Sequence, residues 1–338
     1  MSSPLPARGV LLPNGSFDLA LTLLCGQCFR WNRSSLPEWF EGIAGGTFWR
    51  LQQYGLEIRW ECSTALVRET EAGIWIAEYL NLGQDLTEFE NLFCGHPILA
   101  EPIRLLRGLR LIRQEPWECA VSYLFAQSLS VKVIRKALEN FCNRFGEALE
   151  GLPARRAFPE PGLVCLLSPL DLRPFANNNR ARAERIVKLA RSLEAGVVSL
   201  PYLKKIDCDE ARQALMALEG IGPKIADCIL LFSLDQGSAF PLDRWVLRAV
   251  KKHFPTVRFM GRVGVNPTPA QYPQMVKRAR AAFGPWCGLV SEYLFLYFRL
   301  LEDRGLQGEL GRSPDDFPQV LKPKRRPRAA LPKVPKKL

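Results

Sequence analysis

The sequence predicts an α+β protein, a small antiparallel β-sheet from roughly the first hundred residues followed by an all-α body. Two observations carry this. Strand-type runs rich in Thr, Trp, Tyr, Ile and Leu fall early in the chain, notably Thr47–Tyr54 and Leu56–Cys62 with Gly55 between them as a hairpin turn. From about residue 69 the hydrophobic period becomes helical, and helix start and stop residues punctuate the chain to about Arg304.

Phe29–Asn32 and Trp39–Ile43 read as strands beside the hairpin. Glu69–Leu80 sets Ile74, Ile76, Ala77 and Leu80 among charged residues and predicts the first helix, with two short ones over Leu86–Phe93 and His96–Leu106. Glu115-Pro116 opens an apolar helix over Trp117–Ser128, because proline suits a first helical turn. Val131–Phe145 is amphipathic and stops before Gly146, and residues 147–170 read as irregular. Helices follow over Asn179–Leu193, Asp209–Leu218 and Trp245–Phe254, with a Gly/Pro-rich loop at Gly261–Pro269. The expected division is a sheet subdomain with short helices over 1–108, a helical domain over 109–306 and a basic, proline-rich tail over 307–338.

The formal charge of +12 favours a polyanionic partner, although many ordinary soluble proteins are also basic. Eight of the 46 basic residues lie in Lys322–Leu338, which has four prolines and no acid. Such a segment buries too little apolar surface to order itself; it either adds sequence-independent phosphate affinity or only solubilises. No signal-peptide core and no run of about 18 apolar residues is seen, so a soluble intracellular protein is expected, bacterial cytoplasm being favoured over nucleus. The ten cysteines are scattered. Cys25-Gly26-Gln27-Cys28 has zinc-like spacing but no second pair, and Cys287 alone follows position 228, which excludes a C-terminal four-cysteine cluster. No metal and no cofactor is expected.

The richest segment is Ala214-Leu-Met-Ala-Leu-Glu-Gly-Ile-Gly-Pro-Lys-Ile-Ala-Asp-Cys228. One helix ends at Leu218–Glu219, Gly220-Ile221-Gly222 turns, and Pro223 starts the next helix. The glycines are expected to supply positive φ and close backbone approach. The new helix aims unpaired N–H groups outward, an anion seat suited to a DNA phosphate; an ordinary αα turn is the alternative. Lys224 falls in the first turn, where the helix dipole disfavours its charge; a neutral amine is what a Schiff-base nucleophile requires, whereas a solvated lysine or phosphate contact is the plainer reading. Nineteen residues later Asp243 precedes an apolar helix, as an N-cap or as a carboxylate that stabilises positive charge on a sugar.

These motifs resemble the helix-hairpin-helix DNA glycosylases, and most nearly those acting on 8-oxoguanine. Cys25-Gly-Gln-Cys-Phe-Arg-Trp31 and Gly108-Leu-Arg-Leu-Ile-Arg-Gln-Glu-Pro-Trp-Glu-Cys119 are similar to stretches of that family, and the likeness spans roughly Phe17 to Arg304. It implies a TBP-like sheet and a helix-hairpin-helix body. The activity implied is excision of an oxidised purine through a Lys224 Schiff base, then β-elimination at the abasic site, with Asp243 assisting. It further implies a base pocket of Gly26, Cys228, Phe295 and Ser291, Ser291 standing where the family has a glutamine. DNA contacts would come from Gly220, Gly222, Pro223, Arg180, Asn179, Ser128, Leu129 and Trp245. The implied partner is damaged double-stranded DNA bound by a monomer.

The sequence also departs from the family. Ser128-Leu129-Ser130 and Val133 replace the residues that hold the orphaned cytosine, Asn179 replaces a wedge tyrosine and Trp245 a phosphate-binding histidine. Weak opposite-base selection follows. Gln127-Ser128-Leu129-Ser130 is similar instead to 3-methyladenine glycosylases, so a monofunctional or broad-range enzyme for alkylated or deaminated bases is the second hypothesis. A non-enzymatic DNA-binding module is the third. Leu129 suits a core position as well as a wedge into the DNA, Cys228 also suits a core, the aromatic stripe around Phe295 more often means core than pocket, and Arg180 suits a solvated face.

Overall fold

The computed structural model describes residues 5–243, 245–247, 267–268 and 270–313. Five antiparallel strands form one sheet: β1 (Ala7–Leu11), β2 (Trp31–Arg33), β3 (Trp39–Ala44), β4 (Thr47–Tyr54) and β5 (Glu57–Cys62), in the order β1-β5-β4-β3-β2. The expected hairpin is β4–β5, with Tyr54 opposite Glu57 across the turn. β1 was not expected. Its register runs from Ala7 opposite Cys62 to Leu11 opposite Ile58, so distant pairing makes it a strand.

The helix Ala72–Tyr79 covers one face of the sheet. Trp75 stacks on Trp49 of β4 at 5.6 Å and on Tyr79 at 5.2 Å between ring centroids. Residues 147–170, expected to be irregular, hold a two-stranded ribbon (Ala148–Leu149 with Leu152–Arg156) and the single turns Pro161–Val164 and Pro169–Leu172. Two helices expected longer are shorter: Pro116–Phe125 and Ala100–Leu105.

Buried residues fall into two clusters. One joins the sheet and the short helices to the late chain, from Phe240 to Leu310, and so cuts across the division expected at position 108. The other is built mainly from residues 117 to 239. The folded chain continues past 307, because the helix Arg304–Glu309 places Leu306 and Leu310 in the first core. The basic Lys322–Leu338 segment and most of the expected Trp245–Phe254 helix and Gly261–Pro269 loop lie outside the described residues. Among the described residues no helix is long and apolar enough to cross a membrane.

Candidate active site

The Cys208–Met216 helix is capped by Asp207, whose side chain accepts from the Asp209 and Glu210 N–H groups. The chain then turns through Gly220-Ile221-Gly222 into the helix Pro223–Ser233. Gly220 has φ +88, and a Cβ there would lie 2.2 Å from Arg185 Cδ, so only glycine fits. Gly222 corrects the expectation: it is extended (φ −85, ψ 174), with open space where a Cβ would point. No side chain caps this helix.

Lys224 stands in the first turn and forms an ion pair with Asp243. The lysine side chain is half-exposed, while that of Asp243 is 15% exposed. Asp243 holds its place through its other oxygen, Oδ1, which accepts from the Trp245 N–H at 2.6 Å, and its carbonyl accepts from the Leu247 N–H at 3.0 Å. It is therefore both N-cap and partner of the lysine. The two readings of Asp243 coexist.

Sequence reasoning missed the brace behind this pair. Asp227, fully buried in the hairpin helix, accepts from Arg212 Nε at 2.6 Å and from the Tyr272 hydroxyl at 2.7 Å. The same hydroxyl accepts from the Leu242 N–H at 3.2 Å, so Tyr272 ties the Lys224 helix to the residue preceding Asp243. Nothing local marks a tyrosine 45 residues from its partner.

The Cys25–Trp31 segment enters beside this helix. Buried Gln27 donates to the Thr22 and Arg110 carbonyls and accepts from the Ile112 N–H, while its own carbonyl accepts from Gln114 and Tyr123. Those bonds stitch together the two stretches on which the family resemblance rests. Gly26 has φ +107, and a Cβ there would meet Arg299 Nη1 at 2.8 Å and Phe295 Cε1 at 3.8 Å. Phe295 and Arg299 come from the helix Cys287–Glu302; the Arg299 guanidinium lies 5.3 Å from the Phe295 ring centroid and donates to the Cys25 carbonyl at 2.8 Å. Cys228 is buried on the hairpin helix, where burial pushes its thiol well up and the nearby Lys224 opposes the shift. Ser291 is buried on the same helix as Phe295.

The remaining expected residues sit around the hairpin. Gln127 donates to the Gly220 carbonyl at 2.9 Å and accepts from Arg185 Nη1 at 3.0 Å; Arg182 Nη2 donates to the Gln127 carbonyl at 2.6 Å. These bonds join the Ser128-Leu129 turn, the start of the Arg180–Glu194 helix and the hairpin. Ser128 takes φ +61, and Leu129 is partly buried against the second core. Asn179 caps that helix by accepting from the Arg182 N–H at 3.0 Å. Arg180 is exposed and pairs with Glu184, and Trp245 is 44% exposed. Among the described residues no three potential ligands gather to hold a metal.

Residues 10–120 match the family model of the 8-oxoguanine DNA glycosylase N-terminal domain. The N-glycosylase/DNA lyase OGG1 of Arabidopsis thaliana is 28% identical over 293 residues, covering 84% of this chain and 78% of its own. The N-glycosylase/DNA lyase of Saccharomyces cerevisiae is 30% identical over 161 residues, 44% of this chain and 42% of its own. The Clostridium acetobutylicum 8-oxoguanine glycosylase/lyase, solved on double-stranded DNA with cytosine opposite the lesion, superposes with a TM-score of 0.74 at 26% identity, over 89% of this chain and 98% of that one.

Proposed function

We propose that this chain, whose residues 10–120 match the 8-oxoguanine DNA glycosylase N-terminal domain and which is similar along most of its length to N-glycosylase/DNA lyases, excises an oxidised purine, 8-oxoguanine foremost, from duplex DNA and then nicks the strand. The observation that carries the reading is the Lys224–Asp243 pair at the hairpin. A base inside a duplex is out of reach, so the nucleotide is extruded, at least cost where it is damaged. Asp243 takes a proton from the ammonium as Lys224 moves onto C1′ of the sugar. The C1′–N bond breaks and the base leaves with that proton, so the carboxylate is ionised again and opposes the positive charge on the sugar; opening of the sugar's C1′–O4′ bond, with a proton passing from the amine to O4′, then gives the Schiff base. The Lys224–C1′ Schiff base acidifies the adjacent C2′ proton, and its loss expels the 3′ phosphate by β-elimination.

The uncapped start of the Pro223–Ser233 helix, open above Gly222, suits a backbone phosphate. Ser128, Leu129, Asn179, Arg180 and Trp245 are the proposed further contacts, and Gly26, Cys228, Phe295 and Ser291 the proposed base pocket. The ten free cysteines suit a reducing compartment, in keeping with bacterial cytoplasm.

Borohydride trapping on duplexes carrying 8-oxoguanine opposite each normal base tests the reading. Wild type is expected to give a covalent adduct and Lys224→Gln none. Base release that survives the substitution would instead make the enzyme monofunctional and Lys224 a phosphate contact.

A further inference from the structure

The proposed chemistry leaves one buried acid unused. Glu292 lies on the Cys287–Glu302 helix, three residues before Phe295 and seven before Arg299, which places all three on one helical stripe beside Gly26. It is 3% exposed, and its Oε1 is sealed from solvent with no hydrogen-bond partner. The Cys25 thiol hydrogen-bonds its carboxyl, while Asp243 and Arg299 act on it through space. Among the described residues Arg299 makes no ion pair with it and directs Nη1 to the Cys25 carbonyl instead. A carboxyl with one oxygen unpaired in an apolar core is costly, and Cys25 and Arg299 offset only part of that cost. A group so placed suits a ligand that brings its own donors.

We propose that Glu292 reads the edge of the extruded base, its carboxylate accepting from the ring N1–H and the exocyclic 2-amino group of 8-oxoguanine. The inference rests on the function proposed above and names the residue that selects the substrate. A guanine-type edge presents two adjacent donors, and an ionised carboxyl is acceptor-only at both oxygens. A glutamine would turn one donor against another. A hypoxanthine-type edge offers N1–H alone.

Ionisation supplies a second readout. The groups acting on or acted on by this carboxyl are Cys25, Cys28, Tyr123, Cys228, Asp243 and Arg299. Burial first, with Asp243 adding to it, pushes Glu292 up to about 7, against the opposing effects of Cys25 and Arg299. The acceptor pair therefore exists above that pH and is lost below it.

The test is single-turnover excision from duplexes carrying 8-oxoguanine or 8-oxohypoxanthine, which lacks only the 2-amino group, each opposite cytosine. Wild type should prefer 8-oxoguanine by about tenfold or more, and the preference should grow as pH rises through about 7. Glu292→Gln and Glu292→Leu should bring the ratio to within about threefold of unity. Wild type that removes both bases equally overturns the inference and leaves the proposed function intact; wild type that removes neither overturns the function. Variants that keep the preference, or lose both bases in proportion, also overturn the role of Glu292. Where a variant fails to fold, a wild-type preference that stays flat as pH rises through about 7 overturns the inference.

Discussion

Asp243 does two jobs that a pair of substitutions separates. Its Oδ1 caps the turn at Trp245, and its Oδ2 pairs with Lys224. Asp243→Asn keeps the shape and the acceptor and removes the charge. Asparagine caps as well as aspartate, so the stability loss is the charge–dipole part, about 0.3–1 kcal/mol. Asp243→Ala loses the cap as well, about 1 kcal/mol more. With an unfolding entropy of about 2.1 cal/mol/K per residue, a chain of 338 residues loses about 0.5–1.5 °C in Tm for Asp243→Asn and about 2–3 °C for Asp243→Ala. The catalytic loss is of another size. Removing a preorganised charge aimed at the developing cation costs about 3–4 kcal/mol, a fall of roughly 10²–10³ in the rate of base release. Single-turnover release and thermal unfolding on the same preparations check this. Both variants should be slowed alike and differ only in Tm. Asp243→Asn within about threefold of wild type would refute the use of the charge, and equal Tm losses for the two variants would refute the cap.

Three further outcomes are expected. Holding Glu292 at about 7 instead of its ordinary 4.5 costs the ionised form about 3 kcal/mol. The folded state holds this proton more tightly than the unfolded chain, so the stability is full below about 4.5 and is lost as pH rises to about 7; by thermal unfolding Glu292→Gln should therefore exceed wild type by about 5 °C at high pH and lose that lead towards the acid end. Tyr272→Phe removes the hydroxyl shared by Asp227 and Leu242, and should cost about 1–2 kcal/mol in denaturant unfolding while slowing base release through a loosened Asp243. Gly220→Ala should destabilise by about 2 kcal/mol or more, since φ is +88 and Arg185 fills the space; Gly222→Ala should fold normally yet weaken DNA binding by gel shift, because its open face is where the phosphate is placed.

The hairpin, the lysine and the aspartate were legible because a short-range rule carries each. A Gly-x-Gly between helices, a proline at a helix start and a carboxylate before an apolar helix all act within one turn. The β4–β5 hairpin was legible for the same reason. What was illegible depends on distant partners. β1 is a strand only because β5 lies open beside it, some fifty residues on. Gln127, Arg182, Arg185 and Tyr272 are ordinary polar residues until the fold brings each to a backbone group or carboxylate tens of residues away. The first core is likewise shared between the sheet and the last helices, so sequence order could not reveal it.

The proposed base pocket shows the sharpest form of this. The resemblance places Ser291 in the pocket, one turn before Phe295 on the same buried helix face. The stripe through Phe295 and Arg299 takes in position 292 beside it. There the chain carries a buried carboxyl with an oxygen left unpaired, next to the glycine whose positive φ brings the opposite wall close. A serine in place of an amide reader leaves only one short hydroxyl at the base edge. A carboxylate one residue later restores two acceptors, and makes the selection of a two-donor base depend on pH.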